Sequence, residues 1–89
     1  MHPEKHVIVG VHITDRIHHA SAVQDVLTDY GCEIKTRLGL HEVGPGECSP
    51  NGLLVLELVG DEKLHQEMVQ KLDAIQGVET KQMTFTHLA

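Results

Sequence analysis

The chain is short of basic residues. Its 89 residues contain 7 lysines and arginines against 13 aspartates and glutamates, which gives a formal net charge of −6 when histidine is counted as neutral. Because a negative protein is repelled by the phosphate backbone, we expect no direct binding to nucleic acid. If the protein controls transcription, we expect it to act through a protein partner.

Long apolar runs are also missing. Apolar residues make up 40% of the chain and are spread along it, a composition that fits neither a membrane span nor a disordered chain. The first six residues, Met1 to His6, lack the apolar core of a signal peptide. We therefore expect no membrane association and a cytoplasmic location, where Cys32 and Cys48 remain thiols.

The sequence contains no recognisable catalytic motif. There is no nucleophile elbow, no serine, histidine and aspartate in a typical order, and no phosphate-binding glycine motif. Eight histidines are present, but the helical pattern places His18, His19 and His65 on or beside exposed faces, where an imidazole is solvated. We expect a protein that is not an enzyme.

The apolar residues that are present follow the order strand, helix, strand, strand, helix, strand. Alternation of apolar and polar residues predicts the strands, and apolar residues every three or four positions predict the helices. The predicted strands cover residues 6–13, 33–41, 53–59 and 78–85, with a loop at 42–52.

Capping residues mark the two predicted helices. Thr14 or Asp15 can cap the first helix, and Gly31 is expected to end it in the left-handed conformation. Asp61 and Gly77 have the same roles for the second helix. The alternation in the last strand is less regular, and a β-bulge there would explain it.

With right-handed crossovers these elements form an α+β, ferredoxin-like βαββαβ sandwich. Its four-stranded antiparallel sheet has both helices on one face, and the first and third strands are central. The whole chain, 1–89, is expected to be one domain with its core at about 6–86.

The sheet face opposite the helices is predicted to mix apolar and polar side chains. Such a face indicates an interface between subunits, so we expect a homodimer or homotetramer. The alternative is a solvated face that tolerates a few aliphatic residues. The third strand favours the interface, because it is apolar at nearly every position, as in strands covered on both sides. The residues predicted on this face are Ile8, Gly10, Leu53 and Val55, flanked by His6, His12, Lys35, Arg37 and Glu57.

Several short segments carry a family resemblance. They are Gly10-Val11-His12-Ile13-Thr14-Asp15-Arg16, Val23 and Leu27, Tyr30-Gly31-Cys32-Glu33-Ile34, Arg37-Leu38-Gly39-Leu40, Lys71-Leu72, Ile75 and Gly77-Val78. Together they resemble the small proteins described as iron-only hydrogenase system regulators, over nearly the whole of 6–83. The resemblance implies an ACT-like domain, related in fold to amino-acid-sensing modules and to the effector domain of the nickel-responsive repressor. It also implies a regulatory role.

The resemblance to ACT domains implies a small-ligand site at the start of the first helix, formed by Thr14, Asp15, Arg16 and His18. In ACT domains this turn commonly reads Asp-Arg-Pro-Gly, whereas this chain has Asp15-Arg16-Ile17-His18 and lacks the glycine. The helix still offers free amides and a favourable dipole to an anion. The alternative is that Asp15 simply caps the helix.

A second implied site would hold a transition metal. His41 and Cys48 match the strand histidine and the loop cysteine of the nickel-responsive repressor, although Gly39 stands where that family has a companion histidine. His12 is expected at the same end of the sheet, and imidazole with thiolate suits zinc, nickel or copper. Against this, the third strand separates His12 from His41 by about 10 Å, so a partner subunit would have to complete the site. The sequence identifies no cofactor.

Overall fold

A computed structural model of the protein describes residues 3–40, 43–44, 47–48 and 51–88. Within these described ranges it contains six strands, two helices and a 3-10 turn at Gly31–Glu33. The elements are β1 (Pro3–Ile13), α1 (Arg16–Asp29), β2 (Ile34–Leu40), β3 (Val43–Gly44), β4 (Glu47–Cys48), β5 (Gly52–Leu58), α2 (Glu62–Asp73) and β6 (Val78–Leu88).

The four long strands form one antiparallel sheet in the order β2-β5-β1-β6. This order confirms the ferredoxin-like fold, with the first and third long strands at the centre. Neither helix described by the structure is long and apolar enough to cross a membrane.

The core lies between the sheet and the two helices. Alternate residues of β1 point into it, because side chains along a strand alternate between the two faces. Apolar residues from β5 and from one stripe of each helix complete it. The buried apolar residues are Val7, Val9, Val11, Ile13, Val23, Leu27, Tyr30, Leu56, Leu58, Met68, Leu72 and Val78.

A bulge in β2 changes which residues face the helices. The register with β5 shifts between Ile34 and Thr36, so Lys35 is an extra residue in the strand. One extra residue reverses the alternation that follows it. Arg37 consequently lies on the helix side, where its Nη1 donates to Gln24 Oε1 at 3.0 Å. The prediction that Arg37 flanks the opposite face was therefore wrong.

β6 contains no bulge, so a bulge does not explain its irregular alternation. It pairs with β1 in an unbroken register from Val78, opposite Ile13, to beyond Phe85, opposite His6. Val78 therefore faces the helices and Phe85 the other side of the sheet. The irregular alternation arises because the strand carries an apolar residue on each face.

The helix boundaries agree with prediction for α2 and less well for α1. Asp61 caps α2 by accepting from the amide of Lys63 at 2.8 Å, and Gly77 is left-handed with φ 81°. Asp15 occupies the cap position of α1, but its side chain makes no capping hydrogen bond. Gly31 does not have a positive φ; it begins the 3-10 turn that leads into β2.

The predicted loop at 42–52 contains a short hairpin. Val43 pairs with Cys48 and Gly44 with Glu47, which forms β3 and β4. Strands of two residues are too short to show a periodic pattern, so they could not be predicted from the sequence.

His65 was predicted to be solvated and is buried, with 3% of its surface exposed. Its Nε2 lies 2.7 Å from the carbonyl oxygen of Val59, to which it donates. The hydrogen bond offsets the cost of burying the ring, so a polar residue can take a core position next to the apolar stripe of α2.

Candidate functional site

The turn between β1 and α1 lies where three strand ends meet. β1 ends at Ile13, which pairs with Gly52 at the start of β5 and with Val78 at the start of β6. The residues just before those two strands, Asn51 and Gly77, are therefore brought beside the turn. Antiparallel pairing thus gathers residues that are far apart in the sequence.

Two hydrogen bonds hold the turn from its two sides. The amide of Thr14 donates to the carbonyl oxygen of Gly77 at 2.7 Å, and the amide of Asp15 donates to Asn51 Oδ1 at 3.0 Å. Asp15 has a left-handed backbone, with φ 53° and ψ 63°. Asp tolerates this conformation better than most residues, but it still costs about 1 kcal/mol, which the neighbouring contacts must offset.

The side chain of Asp15 turns to His18 instead of capping the helix. His18 Nδ1 lies 2.6 Å from Asp15 Oδ2, and both side chains are substantially exposed. The first turn of α1 contains no other acidic residue. Asp15 therefore gives the first amides of α1 no side-chain cap, while the amides of His18 and His19 donate to its carbonyl oxygen at 3.1 and 3.3 Å.

His19 packs between Thr14 and Gly77. Its Nδ1 donates to the carbonyl oxygen of Thr14 at 2.7 Å, and its ring lies against Gly77. A Cβ at position 77 would lie 2.8 Å from that Nδ1 and 3.1 Å from the Thr14 oxygen. Only glycine fits here without displacing a neighbour.

The structure brings together most of the predicted ligand residues. Thr14, Asp15 and His18 lie in this turn, and Arg16 begins α1, although its side chain is not among those described. Ligand binding by these residues stays a prediction. Sequence reasoning missed Asn51, His19 and the packing role of Gly77, because their contacts with the turn depend on the assembled sheet.

The predicted metal ligands are less clearly placed. His12 is exposed on β1 and Cys48 lies in β4, while His41 is outside the described residues. The prediction put His41 on the same face as His12 by continuing an alternation in which Arg37 and Gly39 shared that face. The bulge puts Arg37 and Gly39 on the helix side. Over the part of the chain that the structure covers, no group of three or more His, Cys, Asp or Glu could hold a metal ion.

The sheet surface away from the helices, which we call the open face, is more apolar than predicted. Ile8 and Val55 lie at its centre as expected. The bulge in β2 and the regular register of β6 add residues that the sequence pattern had not placed there. Its strongly exposed apolar side chains are Leu38 (53%), Leu53 (37%), Met83 (52%) and Phe85 (55%).

Comparison with known proteins gives structural likeness only. No protein-family model and no protein of curated function matches the chain. An uncharacterized protein from Thermotoga maritima, TM1266, superposes with a TM-score of 0.76 at 24% identity, over 92% of this chain and 99% of that one. A nitrogen regulatory PII-like protein from Thiomonas intermedia K12, bound to ADP, AMP and bicarbonate, gives 0.56 at 12% identity over 99% and 100%.

A designed protein, Foldit4, matches almost as well as the PII-like protein. Its TM-score is 0.55 at 14% identity, over 96% of this chain and 100% of that one. The same architecture therefore occurs in a chain that was not selected for any natural activity. Likeness at these identities establishes the ferredoxin-like fold, and the function has to be argued from the site.

Proposed function

We propose that this protein is a non-enzymatic regulatory module that senses a small anionic ligand at the β1–α1 turn. The observation that carries the proposal is the left-handed backbone of Asp15, whose amide donates to Asn51 while the amide of the preceding Thr14 donates to Gly77. With this backbone geometry, α1 begins without a side-chain cap from Asp15. Strained backbone that the surrounding contacts hold in place is common where proteins bind ligands.

The chemistry of the turn favours a carboxylate or a phosphate. Uncapped amides at the start of a helix, together with the helix dipole, attract negative charge. The Asp15 carboxylate would oppose an anion, but part of its charge is offset by the hydrogen bond that it accepts from His18 Nδ1 at 2.6 Å. The start of α2 is different, since the Asp61 carboxylate already accepts from the amide of Lys63 there.

The fold comparison supports the choice of ligand class. The PII-like protein that shares this fold binds ADP, AMP and bicarbonate, all of which are anions. The resemblance to iron-only hydrogenase system regulators supports a regulatory role, exerted through a protein partner. Ligand binding at the turn would then alter the surface that the partner contacts.

A binding experiment tests the proposal on the purified chain. ADP, AMP, bicarbonate and a set of amino acids are compared by thermal shift and by calorimetric titration. We expect at least one of them to raise the melting temperature of the parent protein. Asn51→Ala removes the acceptor that holds Asp15, so it should weaken that ligand by about tenfold, or about 1.4 kcal/mol.

The control is Asp61→Ala, which removes the cap of the other helix. It should lower the free energy of unfolding by about 1 kcal/mol and leave ligand affinity unchanged. Equal loss of affinity in both variants would mean that general destabilisation, not the turn, controls binding. No stabilisation by any compound of the panel would contradict the proposal for these ligand classes.

The alternative function is that of a transition-metal-binding protein using His41 and Cys48, with His12 or a partner subunit completing the site. If it holds, nickel or zinc titrated into the protein should bind tightly at neutral pH and more weakly below about pH 6, where imidazole takes up protons. His41→Ala and Cys48→Ala should each abolish binding. Binding that survives both changes would place the metal elsewhere.

A further inference from the structure

The apolar side chains of the open face lie along a diagonal of the sheet. At one end Leu38 and Leu53 flank Val55, since Val55 pairs with Leu38 on β2. The diagonal continues through Ile8 on β1, which pairs with Met83 on β6. Phe85 lies beyond Met83 at the far end. The diagonal therefore crosses all four long strands from the β2 edge to the β6 edge.

Charged residues lie on the two sides of this diagonal. Lys81 is on one side, across β1 from Val55, and makes no ion pair within the described residues. Glu57 is on the other side, where it accepts from Thr36 Oγ1 at 3.3 Å and lies 3.5 Å from His6 Nδ1. Between Val55 and Lys81, Gly10 leaves a shallow depression, because a Cβ there would have no atom closer than 4.0 Å.

The positions of the two charges are matched. The diagonal can be drawn as the line from Val55 to Ile8. Neighbouring strands are about 4.8 Å apart, and two residues along a strand span about 6.8 Å. With these spacings Lys81 and Glu57 project onto the same point of that line. They lie on opposite sides of it, at roughly 8 Å and 4 Å by the same spacings. A two-fold rotation about the diagonal therefore carries the Lys81 side over the Glu57 side.

From this arrangement we propose that the open face binds a second copy of the chain, face to face, about a two-fold axis along the apolar diagonal. The apolar residues close to the axis then pack near their own copies, and residues farther from it meet in reciprocal pairs, as in any two-fold interface. Lys81 of each chain pairs with Glu57 of the other, and Gly10 provides space for the Glu57 side chain. The proposal is independent of the ligand site.

A second copy fits better than an unrelated partner, because everything needed to complement this face is already on it. The apolar diagonal is self-complementary, and Lys81, which has no ion pair among the residues that the structure describes, has a matching anion, Glu57, at the symmetric position. A chain of 89 residues also buries a modest core, so association would add stability. It would also cover Leu53 and Val55, the apolar residues of β5 on its second face.

Charge reversal tests the pairing. The parent protein, at 9.8 kDa per chain, should sediment as a dimer. The dimer contains two contacts between position 81 of one chain and position 57 of the other. Lys81→Glu puts two glutamates together at each contact, and Glu57→Lys puts two lysines together at each contact. Each single variant should raise the dissociation constant at least about tenfold, since like charges in an interface are costly.

Mixing the two variants gives the sharpest result. A dimer of one Lys81→Glu chain and one Glu57→Lys chain restores an opposite-charge pair at both positions. The mixture should therefore form dimers at concentrations where each variant alone is monomeric. A salt bridge within one chain could not produce this rescue.

The matched controls reverse charges on exposed helix positions, Lys63→Glu on α2 and Asp25→Lys on α1. They change the net charge by the same amounts and should leave the dimer unaffected. Circular dichroism confirms that every variant is folded. A monomeric parent, single variants that dimerise as the parent does, or a mixture that stays monomeric would each overturn the proposal.

Discussion

Replacing Gly77 with alanine is expected to lower the free energy of unfolding by about 2 to 3 kcal/mol. The left-handed backbone at φ 81° costs an alanine about 1 kcal/mol. The new Cβ would also lie 2.8 Å from Nδ1 and 2.9 Å from Cε1 of His19, and 3.1 Å from the Thr14 oxygen. The His19 ring must then move and give up its hydrogen bond to Thr14.

Substitutions at two other glycines distinguish the cost of backbone strain from the cost of the steric contact with His19. Gly60 has φ 86°, but its nearest atom to an added Cβ is 3.9 Å away, so Gly60→Ala should cost about 1 kcal/mol. Gly31 has neither a positive φ nor an atom within 4 Å, so Gly31→Ala should change stability little. Urea denaturation measures all three. Equal losses at positions 60 and 77 would refute the close contact with His19.

A double substitution isolates the His19 contact. In the Gly77→Ala protein, His19→Ala should cost less than it does in the parent, because the ring is already displaced. The difference between the two costs is the coupling energy of a double-mutant cycle. Additive losses would show that position 77 acts through backbone strain alone.

Much of the fold follows from local patterns in the sequence. The valines of β1 alternate without interruption, and all of them are buried as the alternation predicts. Met68 and Leu72 lie one turn apart on α2 and are fully buried, with Asp61 capping the helix. These features depend on residues close together in the chain, and there periodicity and capping preferences are informative.

Features that depend on competition between distant groups were not predictable. Nothing local shows that Lys35 is an extra residue, because the bulge results from how β2 aligns with β5. Asp15 could have capped α1, and the structure instead pairs it with His18. Its amide is held by Asn51, 36 residues away. The candidate site is therefore assembled by the sheet, and the sequence supplies only its first residues.

Leu56→Ala should be the most damaging substitution in the core, with an expected loss of about 3 to 4 kcal/mol in the free energy of unfolding. Leu56 is fully buried on the central strand β5, between Val9 on β1 and Arg37 on β2. Truncating it removes apolar contacts and leaves a cavity that neighbours fixed in the sheet cannot fill. Chains of this length are commonly stable by roughly 4 to 13 kcal/mol, so the loss would be a large fraction of the total.

The same chemical change at Leu38 is the control. Leu38 is 53% exposed on the open face, so Leu38→Ala should cost within about 0.5 kcal/mol when unfolding is measured at low protein concentration. At high concentration the Leu38→Ala cost should grow, because the apolar diagonal is then buried against a second chain, whereas the Leu56→Ala cost should stay the same. Similar costs for the two substitutions at low concentration would mean that Leu56 does not occupy a rigid core, and the assignment of the two faces of β5 would be wrong.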